Sequence, residues 1–303
     1  MVRTLNYSVV DVFAERAFEG NALAVFHDAR GLSDEEMQTL ARETNLSETT
    51  FVFPGDAATE EREGVRVRIF TTQEELPFAG HPTLGTATWL HLNHPTLRGA
   101  ETITLQLNVG RIPVRFHAQE DGVAGLRATM AQKDPVFGAT HDRAEVARAL
   151  GLNADDLSAE YPPQTVSTGV PFCIVLLRSL EASQRLQLVQ QEAQAWTARN
   201  DAQFFYCIAP LEKNEGADAD WHARMQFYSG EDPATGSAAG CCIAWLVKTG
   251  LAASGQEVWI EQGIEMQRPS RIGVRATLEG ERVHSVEVSG RTISVAEGRF
   301  FLP

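Results

Sequence analysis

RIFTTQEELPFAGHPTLGTATWL, residues 68–90, and RMQFYSGEDPATGSAAGCCIAWL, residues 224–246, are one pattern written twice at an offset of 156. Without a gap in either stretch, Arg68 meets Arg224, Glu75 meets Glu231, Pro77 meets Pro233, Gly80 meets Gly236, Trp89 meets Trp245 and Leu90 meets Leu246. Chance would supply fewer identities over such a length. Each copy also has the same grammar: an alternating strand, an acidic Pro-Gly loop, then a helix rich in Gly, Ala and Thr that runs to the Trp-Leu pair. Self-similarity on this scale predicts a duplicated domain.

The likeness continues upstream. Helical stretches at 33–44 (SDEEMQTLARET) and Leu180–Arg199 precede the β-rich segments TFVF at 50–53 and FFYC at 204–207. Ser33 followed by Glu36 is a capping-box pattern, which fixes the start of the first helix. GNALAV at 20–25 and GVPFCI at 169–174 each read as a glycine turn entering a buried strand, although only the glycine is identical. Two like halves that mix short strands with one or two helices predict an α+β protein. The polar stretch HAQEDGVAG around Gly122 marks the expected boundary, giving domains 1–121 and 122–289. The chain ends in two alternating strands, HSVEVSG and TISVAEG.

Composition narrows the function. With 40 acidic and 26 basic residues the formal charge is −14, so no nucleic-acid or anionic-lipid partner is expected, and a small molecule is. MVRTLNYSVV runs straight into a strand pattern with no apolar signal core, which predicts a cytoplasmic protein. The longest apolar run, about Pro171 to Leu177, is far shorter than the roughly 20 residues that cross a bilayer, so no membrane span is expected. Cys173, Cys207, Cys241 and Cys242 show no CxxC spacing, and no Cys/His cluster suggests a metal; they read as reduced, buried small hydrophobes. Trp221-His222 and the segment 212–220 read as a solvated loop.

Three clusters carry candidate chemistry: NLSE at 45–48, GHPT at 80–83 and EDPATGS at 231–237. In the last two a glycine opens a helix whose next residues are small, leaving backbone N–H groups and a partial positive charge at the helix start. Such starts bind carboxylates. Each residue also has a structural reading: Thr235, Gly236 and Ser237 as a cap turn, His81 as a core histidine, Glu48 as a solvated carboxylate. Together they say more, because His81 and Ser237 occupy corresponding positions of the repeat and differ in chemistry. Divergence at two facing helix starts suits an asymmetric active site for a small anionic substrate.

In this order the clusters resemble the phenazine-biosynthesis F-like family, which shares the diaminopimelate epimerase fold. The matching stretches are DVF at 11–13 with Gly20-Asn21, NLSET at 45–49, RIFT at 68–71, ELPFAGHPT at 75–83, STGVPF at 167–172, GEDPATGS at 230–237, and Gln262-Gly263 with RPS at 268–270. The resemblance implies two pseudo-symmetric domains, each a β-barrel-like sheet around a central helix, with a catalytic cleft between them. It also implies a last strand, 290–303, that completes the first domain, and a homodimer. By carry-over Glu48 is the acid/base, His81 and Asp232 assist it, and Gly80, Thr235, Gly236 and Ser237 hold the substrate. Diaminopimelate epimerases carry a cysteine at each helix start; here Pro77-Phe-Ala-Gly80 and Pro233-Ala-Thr-Gly236 stand instead, so a two-thiol racemase mechanism is not expected.

The expected activity is therefore a proton-shuttle isomerisation without metal or cofactor, on a small carboxylate-bearing substrate such as trans-2,3-dihydro-3-hydroxyanthranilate. For this Glu48 must be shielded from water. Racemisation or epimerisation of an amino or hydroxy acid, and a non-catalytic binding protein on the same scaffold, are the alternatives.

Overall fold

The hydrogen-bond ladder explains the repeat strand by strand. The computed structural model describes residues 2–212, 219–227 and 230–302, and the chain divides into two units, 1–131 with 289–303, and 132–288. In unit 1 the chain forms β1 (Arg3–Val12), β2 (Asn21–Phe26), α1 (Asp34–Thr44), β3 (Glu48–Phe53), α2 (Ala57–Glu63), β4 (Val65–Phe70), β5 (Glu75–Leu76), α3 (Gly80–Asn93), β6 (Thr102–Leu107), β7 (Gly110–Phe116) and β8 (Leu126–Ala131). In unit 2 it forms β9 (Val136–Thr140), α4 (Arg143–Ala149), a 3-10 turn (Ala154–Asp156), β10 (Gln164–Ser167), β11 (Pro171–Leu176), α5 (Leu180–Arg185), α6 (Gln190–Thr197), β12 (Phe204–Pro210), β13 (Trp221–Arg224), β14 (Gln226–Phe227), β15 (Gly230–Glu231), α7 (Gly236–Thr249), β16 (Val258–Gln262) and β17 (Ser270–Glu279). The last strand, β18 (Arg282–Leu302), begins in unit 2 and belongs to unit 1 from Ser289 onward.

Unit 1 is a closed barrel. Its order is β1-β2-β3-β4-β6-β7-β8-β18, and β18 returns to β1 from Arg3↔Leu302 to Val12↔Thr292, with a bulge at Val9/Val10. Closure gives each strand on this path two neighbours, with β5 pairing β4 off the path. Inside lies α3, buried from Gly80 through Leu90. Its sequence carries no Asp, Glu, Lys or Arg, which is why a helix can be enclosed on every side. Gly85 lets it approach β1 and β2 closely: a Cβ there would stand 2.7 Å from side-chain atoms of both Leu23 and Val12. Two buried polar groups of α3 pair with the barrel wall, Thr86 Oγ1 with Thr50 and Trp89 Nε1 with Ser8. Outside the barrel, α1 covers a cluster of Leu5, Phe26, Met37, Leu40, Phe51 and Phe70.

Unit 2 repeats the scheme. The pair β2–β3 is parallel, β3–β4 antiparallel and β4–β6 parallel; β11–β12, β12–β13 and β13–β16 follow the same sequence of senses. Here α7, buried over nearly all of Gly236–Val247, packs against β10, β11 and β17, so strands from both ends of the sheet wrap it. A cluster including Val146, Leu157, Val175, Leu186, Trp196 and Phe205 fills the space under α4, α5 and α6.

Three expectations need correction. The stretch Leu180–Arg199 is two helices, because the chain between them leaves helical geometry to pair its backbone elsewhere: Gln187 N–H donates to Leu150 O and Val189 N–H to Ala149 O. HSVEVSG and TISVAEG are parts of the single strand β18. Trp221 and His222 are not a solvated loop but the first residues of β13, with His222 only 1% exposed; of the segment 212–220, residues 213–218 lie outside the described residues. The division between the units falls after β8, which hydrogen-bonds β7 from Val114↔Met130 to Phe116↔Ala128.

Candidate active site

The same ion pair fixes the approach to each central helix. In unit 1, Arg68 Nε donates to Glu75 Oε1 at 2.8 Å and Nη2 to Oε2 at 2.5 Å. In unit 2, Arg224 Nε donates to Glu231 Oε1 at 2.7 Å and Nη2 to Oε2 at 2.6 Å. These are four of the residues the repeat matches. Each bidentate fork ties the end of a strand to the loop that enters the helix. Beyond it, the helix starts are alike in lacking a side-chain cap: Ala79 and Thr235, the residues before α3 and α7, make no side-chain cap hydrogen bond.

In unit 1 the first turn of α3 brings His81 to Glu48. Asn45, in the left-handed region at φ 52°, ends α1 and turns the chain so that Glu48 becomes the first residue of β3, paired with Leu23 of β2. Glu48 Oε2 lies 3.4 Å from His81 Nε2, with side-chain exposures of 16% and 5%. Desolvation of the imidazole lowers the His81 pKa from 6.5 to about 3. His81 is therefore neutral at ordinary pH, and its Nε2 can accept a proton from, or donate one to, the carboxyl group beside it. Gly80 is buried at the helix start. Glu48 and Phe204 occupy corresponding positions of the repeat, each opening its strand, as do His81 and Ser237. The Glu–His pair thus belongs to one copy only. An open hollow of about 390 Å³ in this unit, at the Arg68–Glu75 pair, is lined by neither Glu48 nor His81.

In unit 2, Asp232, Thr235, Gly236 and Ser237 lie on the loop into α7 and its first turn. Thr235 does not cap the helix, because its Oγ1 donates to Asp232 Oδ2 at 2.7 Å. Ser237 is half-buried. Gln262 and Tyr206, which sequence reasoning did not connect to the site, hold this loop from below. Gln262 is fully buried and bonds both Asp232 and Thr235. The only sequence signal was the Gln262-Gly263 dipeptide at the end of a strand. Gly263, at φ 78°, is required where it stands: a Cβ would meet Arg268 O at 2.4 Å and Pro233 O at 2.7 Å.

All four cysteines are free and buried. Burial holds the Cys241 thiol up at about 11 and that of Cys242 higher still, so neither is a ready thiolate base. His222 is a different case from the remaining histidines: its Nδ1 meets Glu261 Oε1 at 2.9 Å and its Nε2 meets Glu265 Oε1 at 3.1 Å. Burial opposes its charge, yet these two carboxylates outweigh it and raise the pKa to about 9. It is a clamped cation. Among the described residues no helix is long and apolar enough to cross a membrane.

Comparison with known proteins matches residues 10–298 to the family model described as phenazine biosynthesis-like protein. The chain is 38% identical over 307 residues to a trans-2,3-dihydro-3-hydroxyanthranilate isomerase of Pseudomonas aeruginosa, covering 98% of this chain and 99% of that protein. It is 35% identical over 311 residues to an uncharacterized isomerase of Mesorhizobium japonicum, covering 99% and 100%. Among solved structures, a phenazine biosynthesis protein of the PhzF family from Bacillus anthracis superposes with a TM-score of 0.86 at 25% identity, covering 98% of this chain and 99% of that one.

Proposed function

Because the chain belongs to the family of phenazine biosynthesis-like proteins and is an isomerase, we propose that it moves a proton on a small carboxylate-bearing substrate of the dihydro-hydroxyanthranilate type, with Glu48 as the acid/base. The observation that carries this reading is the pair of half-buried Glu48 and buried His81, 3.4 Å apart. Glu48 takes a proton from an acidic carbon of the substrate; the double bonds shift; the carboxyl group returns a proton to another carbon, and the formula is unchanged. A neutral His81 serves this better than a charged one would. An imidazolium at 3.4 Å would hold the carboxylate in its charged form and weaken it as a base, whereas a neutral ring can share the proton. Asp232 assists, and Gly80, Thr235, Gly236 and Ser237 bind the substrate. The uncapped N–H groups at the starts of α3 and α7 offer donors to negative charge that develops during the transfer, a contribution of a few kcal/mol in such sites.

Steady-state turnover of trans-2,3-dihydro-3-hydroxyanthranilate tests the reading. Glu48→Gln should lower kcat by about 10³-fold, the scale of a general acid/base, while substrate binding persists. Glu48→Gln turning over at the wild-type rate would sink it. Inversion of an amino or hydroxy acid instead, followed by chiral chromatography and lost in the same variant, would move the activity to epimerisation at the same carboxylate.

A further inference from the structure

The loop that carries Asp232 is held by one side-chain amide whose orientation is fully determined. Gln262 Oε1 accepts from Tyr206 Oη at 3.1 Å and from the backbone N–H of Thr235 at 3.2 Å. Its Nε2 donates to Asp232 O at 2.8 Å and to Thr235 Oγ1 at 2.9 Å. A backbone N–H can only donate, and a backbone carbonyl can only accept, so Oε1 must face Thr235 N and Nε2 must face Asp232 O. The direction of the next bond follows. The Thr235 hydroxyl receives from Gln262 Nε2, and its own proton goes to Asp232 Oδ2 at 2.7 Å. A polarised chain thus runs from the Tyr206 hydroxyl through the Gln262 amide and the Thr235 hydroxyl to the Asp232 carboxylate. Gln262 and Tyr206 are both fully buried, and Ser270 Oγ adds a hold on the same loop by donating to Pro233 O at 2.7 Å.

We infer that Gln262 is a positioning residue for catalysis: through Thr235 it aims the Asp232 carboxylate and delivers it a directed hydrogen bond, and Tyr206 sets the amide that does so. This rests on the assignment of Asp232 as an assisting group. The corresponding turn into α3, at Ala79 and Gly80, carries no such hydroxyl at the repeat-matched position, so the relay belongs to the second copy alone.

The test compares Gln262→Met, Thr235→Val and their combination in the full-length protein, by turnover of trans-2,3-dihydro-3-hydroxyanthranilate and by backbone hydrogen exchange. Gln262→Met keeps the length of the side chain and removes its polar atoms. Its kcat should fall about 30-fold with KM changed less than about 3-fold, the scale found when a partner that orients a reacting group is removed. Because both substitutions cut one chain, the double variant should be no more than about 2-fold slower than the worse single one. Independently of activity, the Thr235 amide should lose protection in Gln262→Met while the amides of Ile243–Val247 keep theirs. Wild-type kcat or wild-type Thr235 protection in Gln262→Met, or losses that multiply in the double variant, would overturn the inference. If Gln262→Met does not fold, Tyr206→Phe takes its place, with about 5-fold lower kcat and faster Thr235 exchange expected and wild-type values for both overturning it. If the wild-type protein does not turn over this compound, it is the functional reading that falls, and the exchange measurement still decides the clamp.

Discussion

Arg68 and Arg224 are the same letter in the repeat, yet their removal should cost very different amounts. Arg224 is 6% exposed; besides its fork to Glu231, which is itself 12% exposed, its Nη1 donates to Ser183 O at 2.7 Å and Leu186 O at 3.2 Å. Arg224→Met leaves a buried carboxylate and two carbonyl groups without their shared donor. Breaking a buried pair by removing one partner costs about 3–5 kcal/mol, and Glu231 retains Gln226 Nε2 at 3.0 Å as partial compensation. Arg68 is 18% exposed, its second partner Asp34 is 81% exposed, and Glu75 keeps the Asn108 amide at 2.8 Å. Water screens what remains, so Arg68→Met should cost about 1 kcal/mol. Urea unfolding of both variants at neutral pH, with hydrogen exchange read separately at α3 and α7, measures the difference. The reasoning predicts early loss of protection at the start of α7 in Arg224→Met, and partial recovery when Glu231→Leu is added, since the stranded charge is then gone. Equal costs for the two arginines, or a further loss on adding Glu231→Leu, would refute it.

Two further expectations concern pH. His222 holds its proton up to about pH 9 in the folded chain and to 6.5 unfolded, so it stabilises unit 2 fully below pH 6.5 and loses that contribution as pH rises through 9; His222→Gln should remove up to about 3 kcal/mol at neutral pH and flatten the alkaline loss seen by urea titration. His81 behaves oppositely. With a folded pKa of about 3 it favours folding above pH 6.5, and unit 1 should lose about 2 kcal/mol between pH 6.5 and pH 5 as the unfolded chain takes up the proton, a slope that His81→Asn removes. Gly263→Ala should destabilise the loop into α7, because both its φ of 78° and the nearby Arg268 and Pro233 carbonyls exclude a methyl group; a lower melting temperature with slower turnover is the expected result.

What the sequence disclosed follows from what repeats. The matched Arg and Glu letters are ion pairs in both copies, and the matched Gly letters open both central helices, so the duplication was legible because the same local devices were needed twice. His81 stood out as a departure from that pattern and Glu48 through the NLSE cluster, and the structure brings these two together. What stayed hidden depended on partners distant in the chain. His222 sits in a short charged stretch that reads as loop, and only the fold brings Glu261 and Glu265 to its two ring nitrogens. Gln262 is one glutamine at the end of an ordinary strand until Asp232, Thr235 and Tyr206 converge on it. The break between α5 and α6 has no proline or glycine to announce it; backbone bonds to Leu150 and Ala149 make it.

The account stands on Glu48 as the group that carries the proton, and NMR-detected deuterium incorporation in D2O tests that most directly. Wild-type protein incubated with trans-2,3-dihydro-3-hydroxyanthranilate should place deuterium on the carbon that receives the proton, and Glu48→Gln, folded and still binding, should place none. Deuterium entering that carbon at the wild-type rate with Gln at position 48 would contradict the account.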